Sequence, residues 1–218
     1  MPSGLLAIHN DPIEHAKMGV CERCSENMLK DLLTIIEEEI PIRQTTTSFR
    51  MDWNLSERGK PDFGGIYAFW WRHSAEHFVD SIQNPKLHFH GPGGNPLSYK
   101  IDRAGLTLAD NGRLPLYVGK AYSSIAKRIG QHMTLGTPRS VPQDQCYGVA
   151  GRRTTSCQVR DRLDRLYPYV EDMRAIAIAN LSISYVRLDE EGDFVSRFFL
   201  EDLAIGKLRP LFNLDSER

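Results

Sequence analysis

The sequence predicts an α+β fold in which strands and helices follow the order strand, strand, helix, helix, strand, helix. Three observations lead there. Short runs rich in β-branched and aromatic residues ("GIYAFWW", "LPLYVGKA", "LSISYVRL") have the composition of strands. Amphipathic stretches of helical length ("SSIAKRIGQHMT", "QVRDRLDRLY", "SRFFLEDLAIGKL") lie between and after them. At 218 residues, 41% apolar and 25% charged, the chain suits one domain with elaborations and a sizeable core.

Each element has its own signal. "CSENMLKDLLTIIEEEIP" reads as an amphipathic helix with Ser25 as N-cap and Pro41 at its end. Its apolar stripe (Leu29, Leu32, Leu33, Ile36) needs burial on the core or on a partner. The polar, threonine-rich stretch after it reads as a connector, giving an N-terminal unit over 1–62. "GIYAFWW" is the first strand of a main unit over 63–213, and Gly65 is expected to let backbone and substrate approach near Tyr67. "SAEHFVDSI" reads as a short helix. An insertion over about 83–113 holds a loop, the short strand "LSYKI" and the turn "DNGR". The strand "LPLYVGKA" leads into a helix capped by Ser123 or Ser124, and Pro168 bends or interrupts the next one. "LSISYVRL" alternates Leu181, Ile183 and Tyr185 with serines, which predicts one buried face. The last helix ends before Pro210, and 214–218 form a tail.

Composition narrows the function classes. No stretch reaches the roughly 20 apolar residues of a membrane helix, and the N-terminus lacks a signal-peptide pattern, so a cytoplasmic protein with no membrane partner is expected. Net charge is −1, yet residues 113–174 carry 11 Lys/Arg against 5 Asp/Glu. Such a local excess can hold a polyanion on a neutral molecule, drawing on Lys127, Arg139, Arg152, Arg153 and Arg160. The plainer reading makes "VRDRLDRLY" a solvated helix of alternating charge. Cys21 and Cys24 have the spacing of one zinc knuckle, but Cys146 and Cys157 form no second one, so free reduced thiols are favoured over structural zinc. His88 and His90 would share a strand face, a metal signal lacking a third ligand. "GPGGNP" lacks the Gly-Lys-Ser/Thr of a phosphate loop.

Onto this order fall Gly65-Ile66-Tyr67, Tyr117-Val118-Gly119, Arg128 and His132 in "RIGQH", Glu201 in "FLED", and Asn213 after a proline. The constellation resembles the GIY-YIG nuclease superfamily over roughly 63–82 and 114–213. The resemblance implies a small mixed or antiparallel three-stranded sheet flanked by helices, here with an N-terminal helix and an insertion between the first two strands. It also implies that Tyr67 and Tyr117 face one cleft. A chain of this length, with Lys120 after "YVG", is most similar to the stand-alone type II restriction endonucleases of that superfamily, which act as dimers or higher oligomers on DNA.

The chemistry is coherent with those residue types. Phosphodiester hydrolysis needs an activated water, charge neutralisation and a stabilised leaving oxygen. With one carboxylate at a motif position, a single Mg²⁺ (or Mn²⁺) on Glu201, phosphate oxygens and waters is expected. Arg128 and His132 are four apart and share a helix face, where Arg128 suits a bidentate phosphate contact. Tyr67 is expected near the water with His132 taking the proton and Tyr117 orienting, which would require the phenol pKa to be depressed by Arg128, Lys120 or the metal, unless His132 serves as the proton sink. Asn213 is expected to tie the C-terminal segment to the site. Each residue has a plainer reading: aromatic strands supply core tyrosines, and helical Arg/His pairs lie on surfaces. A DNA-binding module that keeps the fold without cutting, or a repair or structure-specific nuclease, are the alternatives.

Overall fold

The structure, a computed structural model, describes residues 27, 30, 31, 40–47, 50–55, 61–90, 96–109, 112–134, 158–171, 173–190 and 193–213. In chain order the elements are β1 (Ile40–Thr47), β2 (Arg50–Leu55), β3 (Gly65–Trp71), α1 (Ala75–Ser81), β4 (Lys86–His90), β5 (Pro96–Lys100), a 3₁₀ turn (Arg103–Gly105), β6 (Leu114–Ala121), α2 (Ile125–Thr134), α3 (Gln158–Leu166), α4 (Met173–Asn180), β7 (Leu181–Arg187) and α5 (Asp193–Leu208). An α+β class with an antiparallel β7-β3-β6 sheet and flanking helices matches the coarse expectation.

The sheet is wider than three strands. Its order is β2-β1-β7-β3-β6, and β1 pairs with β7 at Ile40↔Ile183 and Pro41↔Ser182. The stretch read as a connector is thus a β-hairpin, and Pro41 stands in β1, while the helix read ahead of it lies mostly outside the described residues. Threonine-rich, β-branched "IPIRQTTT" favours strand pairing, a preference that its polarity concealed. The described sheet therefore begins before residue 63.

β3 owes its burial to its central place. All seven residues are buried, because β7 and β6 flank it and helices cover both faces. Alternation sends Tyr67, Phe69 and Trp71 to a core shared with Ile125 and Ile129 of α2 and Leu163 of α3. Ile66, Ala68 and Trp70 go to the other face, under Leu200, Ala204 and Leu208 of α5. The same two-sided cover corrects the reading of β7. Leu181 to Ser184 are all buried, and Ser184 is accommodated by accepting a hydrogen bond of 2.8 Å from the Trp70 indole.

The glycine pair ahead of β3 serves the fold. A Cβ on Gly65 would run into the Val186 carbonyl oxygen of β7, and one on Gly64 into the Tyr122 carbonyl and Arg197. The close approach of backbone expected at Gly65 is thus realised, with the Val186 carbonyl of β7 as the neighbour. Residues 61–63 then start α2: Ile125 and Ala126 donate to the Phe63 and Pro61 carbonyls, and Lys127 N–H to Ser124 Oγ at 3.1 Å. Ser124 is the cap, and three otherwise orphaned donors are satisfied.

The insertion is part of the body of the protein. β4 and β5 form a hairpin, and Leu87 and Ile101 enter the main core. β6 occupies one sheet edge, where residues 211–213 run alongside it. Leu211 and Phe212 N–H donate to the Pro115 and Leu116 carbonyls. Asn213 then donates from Nδ2 to the Val118 carbonyl at 2.9 Å and accepts from Val118 N–H at 2.7 Å.

Candidate active site

β3 and β6 lie in register with Tyr67 opposite Gly119 and Ile66 opposite Lys120. Because side chains alternate, β6 turns Lys120 to the α5 face and presents Tyr117 and Gly119 to the α2 face. The candidate residues consequently form two groups that share one strand.

On the α2 face, the Tyr67 hydroxyl lies 2.8 Å from His132 Nε2, with both side chains fully buried. Tyr117 packs against both, its ring centroid 4.9 Å from the imidazole and 6.3 Å from the Tyr67 ring. Arg128, one turn before His132 on α2, is half-buried and donates to Gln131 Oε1 at 2.9 Å. The face-sharing expected from the i, i+4 spacing is realised. Gly119 supplies the missing volume: a Cβ there would sit 2.7 Å from both the Tyr67 hydroxyl and Tyr117 Cε1.

Burial decides the protonation states. Desolvation raises the Tyr67 phenol well above its ordinary value, Glu201 adds to the rise, and Arg128 and Tyr117 oppose it. His132 is pushed down to about 3, by desolvation first and by the Arg128 charge second. At neutral pH the pair is a neutral phenol and a neutral imidazole. Of the two routes weighed from the sequence, Arg128 does not depress the phenol, since loss of solvent outweighs the nearby cation; the other route is His132 as the proton sink. His132 Nδ1 is also buried with no hydrogen-bond partner among the described residues.

On the α5 face, Lys120 Nζ forms a salt bridge with Glu201 Oε2, with side-chain exposures of 19% and 17%. The ammonium also stands 3.6 Å from the Phe198 ring centroid. Glu201 is thus held at the boundary of the core, with lysine as its partner. Among the described residues no group of three or more His, Cys, Asp and Glu side chains is placed to hold a metal. One partly screened carboxylate fits a magnesium ion that keeps most of its waters and takes its remaining ligands from substrate phosphate. It does not fit a dedicated protein cage.

The other expectations separate. Asn213 ties the C-terminal segment to the edge of β6, two residues from Lys120 and next to Tyr117. Lys127 is exposed beside Arg128. Arg160, expected on a basic face, is instead buried and bonded to Asp164 at 2.8 Å. Arg162 and Arg165 are buried too, so α3 is neither a phosphate-facing nor a solvated helix at these positions. Arg139, Arg152, Arg153 and all four cysteines lie outside the described residues, as do the His88 and His90 side chains.

Two contributors were missed in the sequence. Gly119 was noted as part of a motif, but its role as the small residue against which Tyr67 and Tyr117 pack follows from register. Arg197 is buried and donates to the Ala121 and Tyr122 carbonyls, fixing the turn that leads from β6 into α2. Its signal was its place in the inward stripe Arg197, Leu200, Ala204, Leu208 of α5. No family model matches this chain, and neither does any curated protein or solved structure.

Proposed function

We propose that this protein is a Mg²⁺-dependent DNA endonuclease of the GIY-YIG type, cutting as a sequence-specific, restriction-type enzyme. The observation that carries the reading is the gathering of Tyr67, Tyr117, Arg128 and His132 on one side of β6 with Lys120 and Glu201 on the other. Motif order supports it, because these are the positions that the resemblance singles out.

In this reading Arg128 binds the scissile phosphate with its planar fork, as arginine does best. Gly119 lets the Tyr67 hydroxyl and the Tyr117 ring pack against the β6 backbone, and the attacking water is the one that reaches that hydroxyl. The water passes a proton to that oxygen while the Tyr67 proton moves to His132 Nε2, and the resulting hydroxide attacks phosphorus. Desolvation first and the Arg128 charge second oppose imidazolium formation, and bound phosphate offsets the second. Glu201 would hold the metal, which supplies charge neutralisation at the leaving oxygen. Lys120 positions that carboxylate.

A second reading is favoured by the complete burial of Tyr67 and His132: a DNA-binding module of the same fold that does not cut. Incubating the protein with long DNA of mixed sequence, in Mg²⁺ or in EDTA, separates the two. Fragments or nicks that vanish in EDTA, in Glu201→Ala and in Arg128→Ala are expected. Retained binding without any nick on such DNA would reject the endonuclease and leave the module.

A further inference from the structure

A cleft of about 390 Å³ lies between the insertion and the C-terminal end of α5, within the size range of small-molecule sites. Buried Leu114 and Leu211 line its apolar part, and Tyr99 and Thr107 bring a ring and two hydroxyls from the insertion. Gly206 and Arg209 stand on the α5 side. Among the described residues Arg209 is the only charged one that lines the cleft, and no carboxylate does. Asp102, at the start of the 3₁₀ turn, directs its carboxylate to the Gly105 N–H at 2.9 Å.

Two features at the end of α5 suit the cleft better than they suit the helix. Arg209 has φ +46° and is the only non-glycine with a positive φ among the described residues. It follows the last residue of α5, where glycine is the ordinary choice, and it precedes a proline, which favours extended backbone. A left-handed backbone is disfavoured for any residue with a side chain. What arginine brings is a guanidinium at the cleft, exposed and without an ion pair among the described residues. Gly206 is the complementary case. Glycine weakens a helix interior, yet a Cβ here would meet nothing within 4 Å, so packing does not require it. Its missing side chain keeps the cleft wall open.

We propose that the cleft is a nucleotide site, with the ring against Leu114 and Leu211 beside Tyr99 and the phosphate on Arg209. The planar guanidinium fork suits a phosphate, and an aromatic side chain with apolar neighbours suits a flat base. The Tyr99 hydroxyl makes only a long bond of 3.3 Å to the Gly105 carbonyl, which leaves it and the Thr107 hydroxyl to meet the polar edge of the base. A free mononucleotide and a nucleotide unstacked from a DNA strand offer this same chemistry. The site stands without the endonuclease reading, whereas the strand-bound source rests on it. The cleft begins at Ile205, one turn of α5 beyond Glu201, and Asn213 at its edge brackets Val118, two residues before Lys120. A strand held at Glu201 therefore has this cleft beside it for a neighbouring nucleotide.

Isothermal titration calorimetry of the full chain without divalent metal, with the four deoxynucleoside monophosphates in turn, tests the site apart from cleavage. At least one is expected to bind at about 1 mM or tighter, and about tenfold or more above inorganic phosphate or the matching nucleoside. Arg209→Gly relieves the left-handed backbone and should melt no lower than wild type, while weakening that binding by about tenfold or more. Gly206→Leu, which adds bulk where the Cβ has open space, should weaken binding likewise with unchanged circular dichroism. No binding of any of the four, equal binding of inorganic phosphate, or binding that survives both variants overturns the proposal. A single-stranded oligonucleotide whose affinity falls in Gly206→Leu identifies the strand as the source, and an effect on mononucleotides alone identifies the free ligand. Nucleotide binding in a protein that cuts no DNA keeps the site and removes the endonuclease reading. Cutting without nucleotide binding removes the site alone.

Discussion

Acid should unlock the Tyr67–His132 pair, and the size of the effect follows from burial. An unfolded histidine takes its proton near 6.5, whereas His132 in the folded protein does so only near 3. Between these values the unfolded chain binds more protons, so stability rises with pH across the window. The contribution is fully present above about pH 6.5 and is lost as pH falls toward 3. At about 1.4 kcal/mol per unit of pKa difference, the whole window is worth about 5 kcal/mol. That is an upper bound, because water entering the site would take up part of the cost. Urea unfolding of wild type and His132→Leu at pH 6.5 and 4.5 isolates the effect, since other titrating groups are common to both. Wild type should lose roughly 2 kcal/mol more than the variant over that interval. The variant should start lower, because the buried Tyr67 hydroxyl loses its partner, at a cost of about 1–3 kcal/mol. Equal losses in the two proteins would refute the reasoning, as would an imidazole NMR titration placing His132 near 6.5.

Glycine substitutions should differ in sign along the chain. Gly119→Ala drives a methyl into Tyr67 and Tyr117 and should cost about 1–3 kcal/mol in chemical denaturation. Gly130→Ala, inside α2 with nothing near its Cβ, should gain about 0.5–1 kcal/mol in the same experiment. Asn213→Ala removes two hydrogen bonds from Val118 and should cost about 1–3 kcal/mol. Asn213→Asp should also destabilise, because it keeps the acceptor but sets a carboxylate oxygen against the Val118 carbonyl; unfolding curves indistinguishable from wild type would contradict this.

How far the sequence could be read depended on what kind of signal each element leaves. β3, β6 and the last helix carry strong periodicity and clear stops, and their bounds follow from composition and Pro210. The β1–β2 hairpin was hidden because threonine and arginine look like loop residues until a neighbouring strand is available to pair them. α4 was hidden by Pro168, which marks a break without saying that a helix resumes after it. In the candidate site, the Arg128/His132 pairing was legible from i, i+4 spacing. The Tyr67–His132 contact joins residues 65 apart and needs the packing of α2 on β3. Protonation was the least legible property. Sequence shows which charges are available, but burial set the outcome, and burial belongs to the assembled sheet. The same holds for Arg160, whose charge is answered by Asp164 one turn away.

The segment 211–213 has a consequence for how the protein is made. It closes Pro115–Val118 from 95 residues away, partly through a side chain that imitates a peptide unit. During synthesis β6 leaves the ribosome long before this segment does, so for that interval the strand's outer hydrogen-bonding groups have no cover. A flat apolar edge with unanswered groups recruits other chains. Slow elongation between the two segments, or cleavage ahead of Leu211, should therefore lower the yield of soluble protein even where the candidate site is untouched.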